Sequence, residues 1–201
     1  MYHIVTNLLR KLRFVITGNP GVGKHTSAGI IAEMINAEIV DINDVAIKSN
    51  ALGEETDLGL DINVKKLARV LERAIHTKRD LVIVGHLAPY VLKPVGISTV
   101  AVLRRSPYDL EKTLKRRGYS TAKVRENVES EIIGTLLYDS LKTFGKRKVA
   151  EFDTTSKTAK ETADAILSTL KTRPKPKSML LGIDWLKVVS ENGDMRRFFK
   201  Y

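Results

Sequence analysis

The chain has 201 residues, of which 43% are hydrophobic and 28% charged, a composition typical of one globular domain and unlike that of a fully disordered chain. It has no cysteine, so disulfides, thiolate metal sites and cysteine nucleophiles are excluded, and no apolar run approaches the roughly 18 residues that span a bilayer. Its formal net charge of +11 favours polyanionic partners such as nucleotides or RNA.

The basic excess lies in three segments. Residues 1–13 carry +3, residues 104–148 carry +6 and residues 172–201 carry +4. The first residues lack the apolar core and the small-residue cleavage site of a signal peptide. We therefore expect a cytoplasmic protein with no membrane partner.

Short β-branched runs alternate along the chain with longer segments of helical spacing. The runs predict strands at 14–17, 38–40, 81–84, 99–103 and 149–152, and the periodic segments predict helices at 24–36, 63–77, 107–116, 122–143 and 158–171. Continuously apolar strands separated by helices are typical of parallel sheets. We therefore predict an α/β fold with a five-stranded parallel sheet and helices on both faces. The polar segment 50–62 is interpreted as a mobile excursion.

The segment GNPGVGKHT, residues 18–26, lies between the first strand and the first helix. It matches the phosphate-loop pattern G-x-x-x-x-G-K-[ST] except at the last position, which is His25. The N–H groups of such a turn bind phosphate, and Lys24 reaches the β- and γ-phosphates. His25 replaces the hydroxyl that normally ligates Mg²⁺. It either has no catalytic role or contacts phosphate as a switchable cation.

Further polar residues follow the neighbouring strands. A nucleoside kinase with this loop usually has an acid at the end of strand 81–84, where this chain has Val84. Asp41 and Asp44 follow the second strand, and either serve the metal or cap the next helix. His86 lies at the same edge and is either structural or functional.

Arginines occur where a closing flap would meet the phosphates. Arg104 and Arg105 end the fourth strand, and Arg117 precedes a predicted turn at Gly118. We expect these arginines to stabilise the charge of a transferred phosphoryl group, with Arg117 as the main candidate. The alternative is a solvated helix face.

The chain continues beyond the last predicted helix. The proline- and lysine-containing segment 173–178 is predicted to be a linker. The extension 179–201 either carries its aromatic and basic residues to a ribosomal partner or packs on the domain as a last helix.

Six segments together resemble one family: ITGNPGVGKHT, VDINDVA, VGHLAPY, VLRRSP, LKRRGYSTAKVRENVESEI and FDTTSKT. They resemble the adenylate kinase isoenzyme 6 family in its archaeal-type form, over about residues 13–171. The resemblance implies a P-loop nucleoside monophosphate kinase fold and a broad kinase with ATPase activity that uses ATP and Mg²⁺. It also implies a role in late small-subunit rRNA maturation, through a small-subunit ribosomal protein, with rRNA as a further candidate partner.

The resemblance assigns residues and regions. Lys24 and Arg117 are implied to be catalytic, and the implied ATP contacts are Gly21, Gly23, Lys24, His25, Thr26, Arg117 and Lys157. No side chain is assigned to a metal. The kinase domain would comprise residues 1–172, with a monophosphate-binding region at about 41–64 and a short lid at about 117–127.

Two departures leave alternatives open. The family commonly has Thr at position 25 and Asp at position 84, and the loss of the acid predicts poor Mg²⁺-dependent turnover. A nucleotide-binding ribosome-assembly module with little turnover is therefore the main alternative. A small-molecule kinase of the shikimate-kinase type is a weaker one, because the Arg117-Gly-Tyr block argues against it.

Overall fold

The computed structural model describes residues 12–56, 59–76, 80–171 and 182–199. The strands in these ranges are β1 (Arg13–Thr17), β2 (Glu38–Asp41), β3 (Leu52–Thr56), β4 (Gly59–Ile62), β5 (Leu81–Val84), β6 (Thr99–Arg104) and β7 (Val149–Asp153). The helices are α1 (Lys24–Ile35), α2 (Ile42–Lys48), α3 (Val64–His76), α4 (Ala88–Val91), α5 (Pro107–Arg116), α6 (Thr121–Ile133), α7 (Thr135–Phe144), α8 (Ala159–Lys171), α9 (Trp185–Glu191) and α10 (Met195–Phe198).

The five predicted strands form one parallel sheet in the order β2-β5-β1-β6-β7. Each of them begins and ends within one residue of the predicted bounds. In β1, Phe14 and Ile16 point into one core cluster and Val15 into the other, because successive side chains of a strand face opposite sides of the sheet. Helices α1 and α8 cover the first face and α3 covers the second. The prediction of a parallel sheet with helices on both faces is confirmed.

The segment 50–62 contains regular structure that the sequence analysis did not predict. Strands β3 and β4 pair antiparallel into a two-stranded sheet in this region. The base of this hairpin is tied to α2, because the Ala51 N–H donates to the Ala46 carbonyl and the Asn63 N–H donates to the Ala51 carbonyl. The segment therefore forms its own two strands outside the main sheet, and its mobility stays a prediction.

The predicted helix 122–143 is two helices in the structure, α6 and α7. They meet at Gly134, whose φ of 77° lies in the left-handed region. Such a φ is strained for other residues, and it breaks the helical path. A Cβ at Gly134 would lie 3.5 Å from Arg104 Nη1, an ordinary van der Waals distance, so the glycine is required by the backbone conformation and not by lack of space.

The C-terminal extension packs on the domain, and the predicted linker 173–178 lies outside the described residues. Val189 is fully buried and Phe198 is 4% exposed, both within the larger core cluster. The rings of Phe198 and Tyr108 pack edge to face with centroids 5.3 Å apart, and the Tyr108 hydroxyl donates to Asp194 Oδ2 at 2.8 Å. Of the two alternatives for this segment, the packing favours a docked last helix.

Within the ranges that the structure describes, no helix combines the length and the hydrophobicity needed to cross a bilayer.

The docking of the extension predicts a difference between two of its apolar residues. Phe198→Ala should lower the free energy of unfolding by about 3 kcal/mol, because it opens a cavity in the core. For a chain of this size that corresponds to a fall in melting temperature of roughly 6–12 °C. Leu186→Ala is the matched control, because Leu186 is 44% exposed. This variant should change the melting temperature little. Equal thermal stability of both variants and the parent would show that the extension does not dock in solution.

Candidate functional site

The phosphate loop, residues 18–26, joins the central strand β1 to α1. Gly18, Gly21 and Gly23 have φ values of 148°, 91° and 92°, all in the region that favours glycine. A Cβ at Gly18 would lie 2.6 Å from the Leu103 carbonyl oxygen, and one at Gly21 would lie 2.8 Å from Leu110 Cδ1. The loop therefore needs glycine both for its backbone conformation and for its fit against the core.

Gly23 is also the N-cap of α1, and no side chain caps this helix end. The first N–H groups of a helix have no acceptor within the helix. The N–H groups of Lys24, His25 and Thr26 are therefore free of competing side-chain caps. Together with the positive end of the helix dipole, they form a site for an anion.

The ammonium group of Lys24 loses most of its hydration in this site. The residue is 5% exposed, and its Nζ donates to the Asn19 carbonyl at 3.4 Å. Burial lowers the pKa of Lys24 to about 8, a shift that Asp41 opposes and Arg117 reinforces. A phosphate placed beside this ammonium would compensate for its lost hydration.

A cavity of about 160 Å³ opens over the loop. Its lining comprises Pro20, Gly21, Gly23, Lys24, His25, Thr26, Asn43, His86, Arg117 and Tyr119. It thus brings together six of the seven residues that the sequence analysis assigned to ATP binding. Lys157, the seventh, is exposed and is not among these lining residues. Arg117 reaches the cavity from the C-cap of α5.

The loop that contains Lys157 nevertheless contacts the phosphate loop. The Thr154 hydroxyl lies 3.1 Å from the Val22 carbonyl oxygen and 3.0 Å from that of Arg104. This contact fixes the segment after β7 against the phosphate loop. Lys157 follows Thr154 by three residues, and its N–H donates to the Thr154 carbonyl at 3.3 Å.

Asp41 connects β2 to the cavity through two contacts. Its Oδ1 accepts the Asn43 N–H at 2.8 Å, so it is the N-cap of α2. Its Oδ2 lies 2.9 Å from Nε2 of His25. Of the two alternatives for Asp41, helix capping is the one found in the structure, and the contact with His25 was not predicted. Asp44 is exposed in the first turn of α2.

His86 lines the cavity and is half-buried. Burial, together with the nearby Lys24 and His25, lowers the pKa of His86 to about 4, and Asp41 opposes the shift. The ring is therefore neutral at physiological pH. His86 also lines an adjoining cavity of about 330 Å³, together with Tyr90, Tyr119 and Lys123.

Arg104 does not face the phosphates, so its expected role in phosphoryl transfer is wrong. The residue is 3% exposed. Its Nε donates to Glu131 Oε1 at 2.7 Å, its Nη1 donates to Glu151 Oε1 at 2.9 Å, and its Nη2 donates to the Glu131 carbonyl at 2.8 Å. Arg104 is not among the residues that line the cavity. Arg105 is half-buried, donates its N–H to Glu131 and does not line the cavity.

Sequence reasoning missed Glu131, which holds the phosphate loop in place. Its Oε2 accepts a hydrogen bond from Asn19 Nδ2 at 2.7 Å. The sequence does contain a signal, since Glu131 interrupts the apolar stripe of α6 formed by Val124, Val128 and Ile132. An acid on the buried face of a helix calls for a partner.

Known proteins resemble this chain in sequence over most of its length. A protein-family model described as an AAA domain matches residues 15–134. A protein of Pyrococcus abyssi named "putative adenylate kinase" is 35% identical over 176 residues, which cover 88% of this chain and 92% of that protein. A protein of the same name from Methanocaldococcus jannaschii is 30% identical over 177 residues, which cover 87% and 93% of the two chains.

Solved structures share the fold at low sequence identity. A shikimate kinase from Bacteroides thetaiotaomicron superposes with a TM-score of 0.57 at 14% identity, over 80% of this chain and 99% of that one. A shikimate kinase from Aquifex aeolicus gives a TM-score of 0.51 at 15% identity, over 80% and 96% of the two chains. At this identity the likeness establishes the fold, which is that of P-loop kinases.

The lowered pKa of His86 predicts a pH dependence of stability. An unfolded histidine takes up a proton near pH 6.5, whereas folded His86 does so only near pH 4. The unfolded state binds more protons between these values, so the parent should lose stability as the pH falls from about 6.5 to 4. His86→Asn should make this loss smaller, as measured by melting temperature against pH. His76→Asn, at an exposed residue, is the control. An unchanged pH slope in His86→Asn would contradict the assignment.

Proposed function

The chain belongs to the adenylate kinase-like family of these archaeal relatives, and we propose that it transfers the γ-phosphate of ATP to a nucleoside monophosphate. One observation carries the proposal: an uncapped helix N-terminus, a buried lysine and an arginine meet at one cavity. Phosphoryl transfer depends mainly on positioning and charge stabilisation, and these groups supply both.

The donor phosphates would occupy the glycine loop. The N–H groups that begin α1 hold the phosphate oxygens, and Lys24 lies next to them with its ammonium already desolvated. The glycine cradle fits this use, because a Cβ at Gly18 or Gly21 would collide with the core and distort the loop. ATP is therefore the proposed co-substrate.

Arg117 is the proposed transfer-site arginine. It is exposed, ends α5 and precedes Gly118, whose φ is +74°. Tyr119 follows it and lines both cavities. A side chain at the start of the segment 117–127 can approach the phosphates when that segment closes as a lid. It then stabilises the charge on the transferred group.

The acceptor monophosphate is proposed to bind on the side of α2 and the β3–β4 hairpin, in the region 41–64. Asn43 of α2 lines the cavity over the phosphate loop, so an acceptor held there would face the donor phosphates. The hydrogen bonds at Ala51 and Asn63 make α2 and the base of the hairpin one unit. Hydrolysis of ATP in the absence of an acceptor is the accompanying ATPase activity that we propose.

A second candidate function is a nucleotide-binding ribosome-assembly module with little turnover. Val84 favours it, since an aliphatic side chain that is 1% exposed stands where kinases with this loop usually have an acid. In both functions we propose cytoplasmic action in small-subunit maturation, with a ribosomal protein or rRNA as partner. Support comes from the resemblance and from the basic segment 104–148.

Arg117→Ala tests the kinase function. It should lower kcat for ADP formation from ATP and AMP about 100-fold and weaken ATP binding by a smaller factor, because its contact with the transferred group is strongest in the transition state. Arg116→Ala, one residue earlier and also exposed, is the matched control. ATP hydrolysis without AMP is measured in parallel. Parent protein that binds ATP yet forms no ADP with any nucleoside monophosphate would favour the assembly module.

The ribosomal role predicts a surface separate from the cavity. Lys146 and Arg147 are exposed in the turn between α7 and β7, at the amino-terminal edge of the sheet and therefore opposite the phosphate loop. Lys146→Glu with Arg147→Glu should weaken binding to isolated small subunits at least tenfold at moderate salt and leave ADP formation unchanged. Lys65→Glu, in α3 and outside the basic segments, is the control. Equal binding of all three proteins would refute this surface.

A further inference from the structure

Two positions that normally supply the divalent metal site of a phosphate loop have lost their oxygen donors. In P-loop NTPases, Mg²⁺ is held by the hydroxyl after the loop lysine and by an acid at a strand end. Here the first position is His25, and the second is the buried, aliphatic Val84. Val84 lies in register between Ile16 of β1 and Asp41 of β2, so the substitution falls at the centre of the sheet edge.

The neighbouring side chains do not restore the donor set. Asp41 is the acid beside Val84, and its Oδ1 already accepts the Asn43 N–H while its Oδ2 contacts His25. Mg²⁺ prefers oxygen ligands, whereas imidazole nitrogen suits other metals. Thr26 leaves one hydroxyl on the cavity wall. In the described ranges, no group of three or more His, Cys, Asp or Glu residues is placed to hold a metal ion. The residues present do not fit a Mg²⁺ site.

His25 and Asp41 instead form an ion-pair contact at the edge of the cavity. His25 begins α1 directly after Lys24, lines the cavity and is half-exposed. Its Nε2 lies 2.9 Å from Asp41 Oδ2, a contact that orients the ring. In an imidazolium both nitrogens donate, so Nδ1 can donate to a phosphate oxygen while Nε2 donates to Asp41. The cavity wall would carry cationic groups on Lys24, His25 and Arg117.

We propose that the phosphate loop binds nucleoside triphosphate without Mg²⁺, with His25, oriented by Asp41, taking the place of the metal beside the phosphates. This inference rests on the proposed function, since it assumes that the loop binds a nucleotide. Metal-free ATP carries more negative charge than its Mg²⁺ complex and matches a wall of cations better. Asp41 acts as a positioning residue, because it acts on the ligand through His25.

The first experiment is calorimetric titration of the full chain with ATP, once in EDTA and once in excess Mg²⁺. The dissociation constant in EDTA should lie within threefold of the constant in Mg²⁺ or below it. A weakening of tenfold or more on removal of Mg²⁺ would overturn the inference. Absence of ATP binding under both conditions would refute the proposed function itself, so the two failures are distinguishable.

Variants of His25 then test whether this residue is responsible for ATP binding without Mg²⁺. His25→Ala should weaken ATP binding in EDTA about tenfold, as expected for the loss of a charge-assisted hydrogen bond. His25→Thr restores the hydroxyl and should make ATP binding stronger in Mg²⁺ than in EDTA. His76→Ala, at an exposed histidine of α3, is the control. Unchanged affinity of His25→Ala in EDTA would contradict the role of His25.

Asp41→Asn separates positioning from capping, because asparagine also caps helices. The variant should weaken ATP binding in EDTA, and adding His25→Ala should give little further loss, since the two residues act as one unit. Additive losses would refute the coupling.

Val84→Asp combined with His25→Thr supplies both missing donors and should increase ADP formation in Mg²⁺. If the buried carboxyl at position 84 prevents the double variant from folding, His25→Thr is measured instead, and its ATP affinity in Mg²⁺ and in EDTA tests the same inference.

Discussion

The rest of the structure depends on the buried ion pairs that the Arg104 guanidinium forms with two glutamates. The guanidinium lies at the end of β6 between the carboxylates of Glu131 and Glu151. The far oxygen of Glu131 accepts from Asn19 in the phosphate loop, and the far oxygen of Glu151 accepts the Gly182 N–H at 3.1 Å. One cation therefore links the phosphate loop, α6, β7 and the start of the docked extension. Removal of one member of such a buried set leaves an uncompensated charge, which typically costs about 3–5 kcal/mol.

This linkage explains how a loop in an unusual conformation is held in place. The three glycines of the phosphate loop adopt positive φ values, which other residues avoid. Asn19 and the Thr154 hydroxyl hold the loop from its two sides, through Glu131 and through the Val22 carbonyl. The loop can then present its N–H groups to a ligand without rearrangement, which is the form of preorganisation that phosphoryl transfer requires.

The positive charges at the cavity favour a bound anion and destabilise the protein when no anion is bound. Lys24 is buried and His86 is half-buried, and desolvation lowers the pKa of each. Arg117 and Lys24 repel each other across the same space, and Asp41 is the acid that offsets them. A bound polyphosphate relieves this repulsion, so ligand binding and stability are coupled. The contact of 2.9 Å between His25 and Asp41 lies at the same cavity.

The sequence by itself determined the five strands of the parallel sheet, the position of the main helices and the phosphate loop. These features follow from local periodicity and from glycines at fixed spacing, so short windows of the chain contain the full signal. The burial of Arg104, the contact between His25 and Asp41 and the docking of Phe198 were decided only by the tertiary structure. Each of them joins segments far apart in the chain, such as Arg104 and Glu151 or Tyr108 and Phe198. Whether a charged side chain pairs or stays free depends on which residues the sheet order and the helix packing bring to it. Local sequence does not encode that placement, which is why an arginine expected to bind phosphate proved to be part of the core.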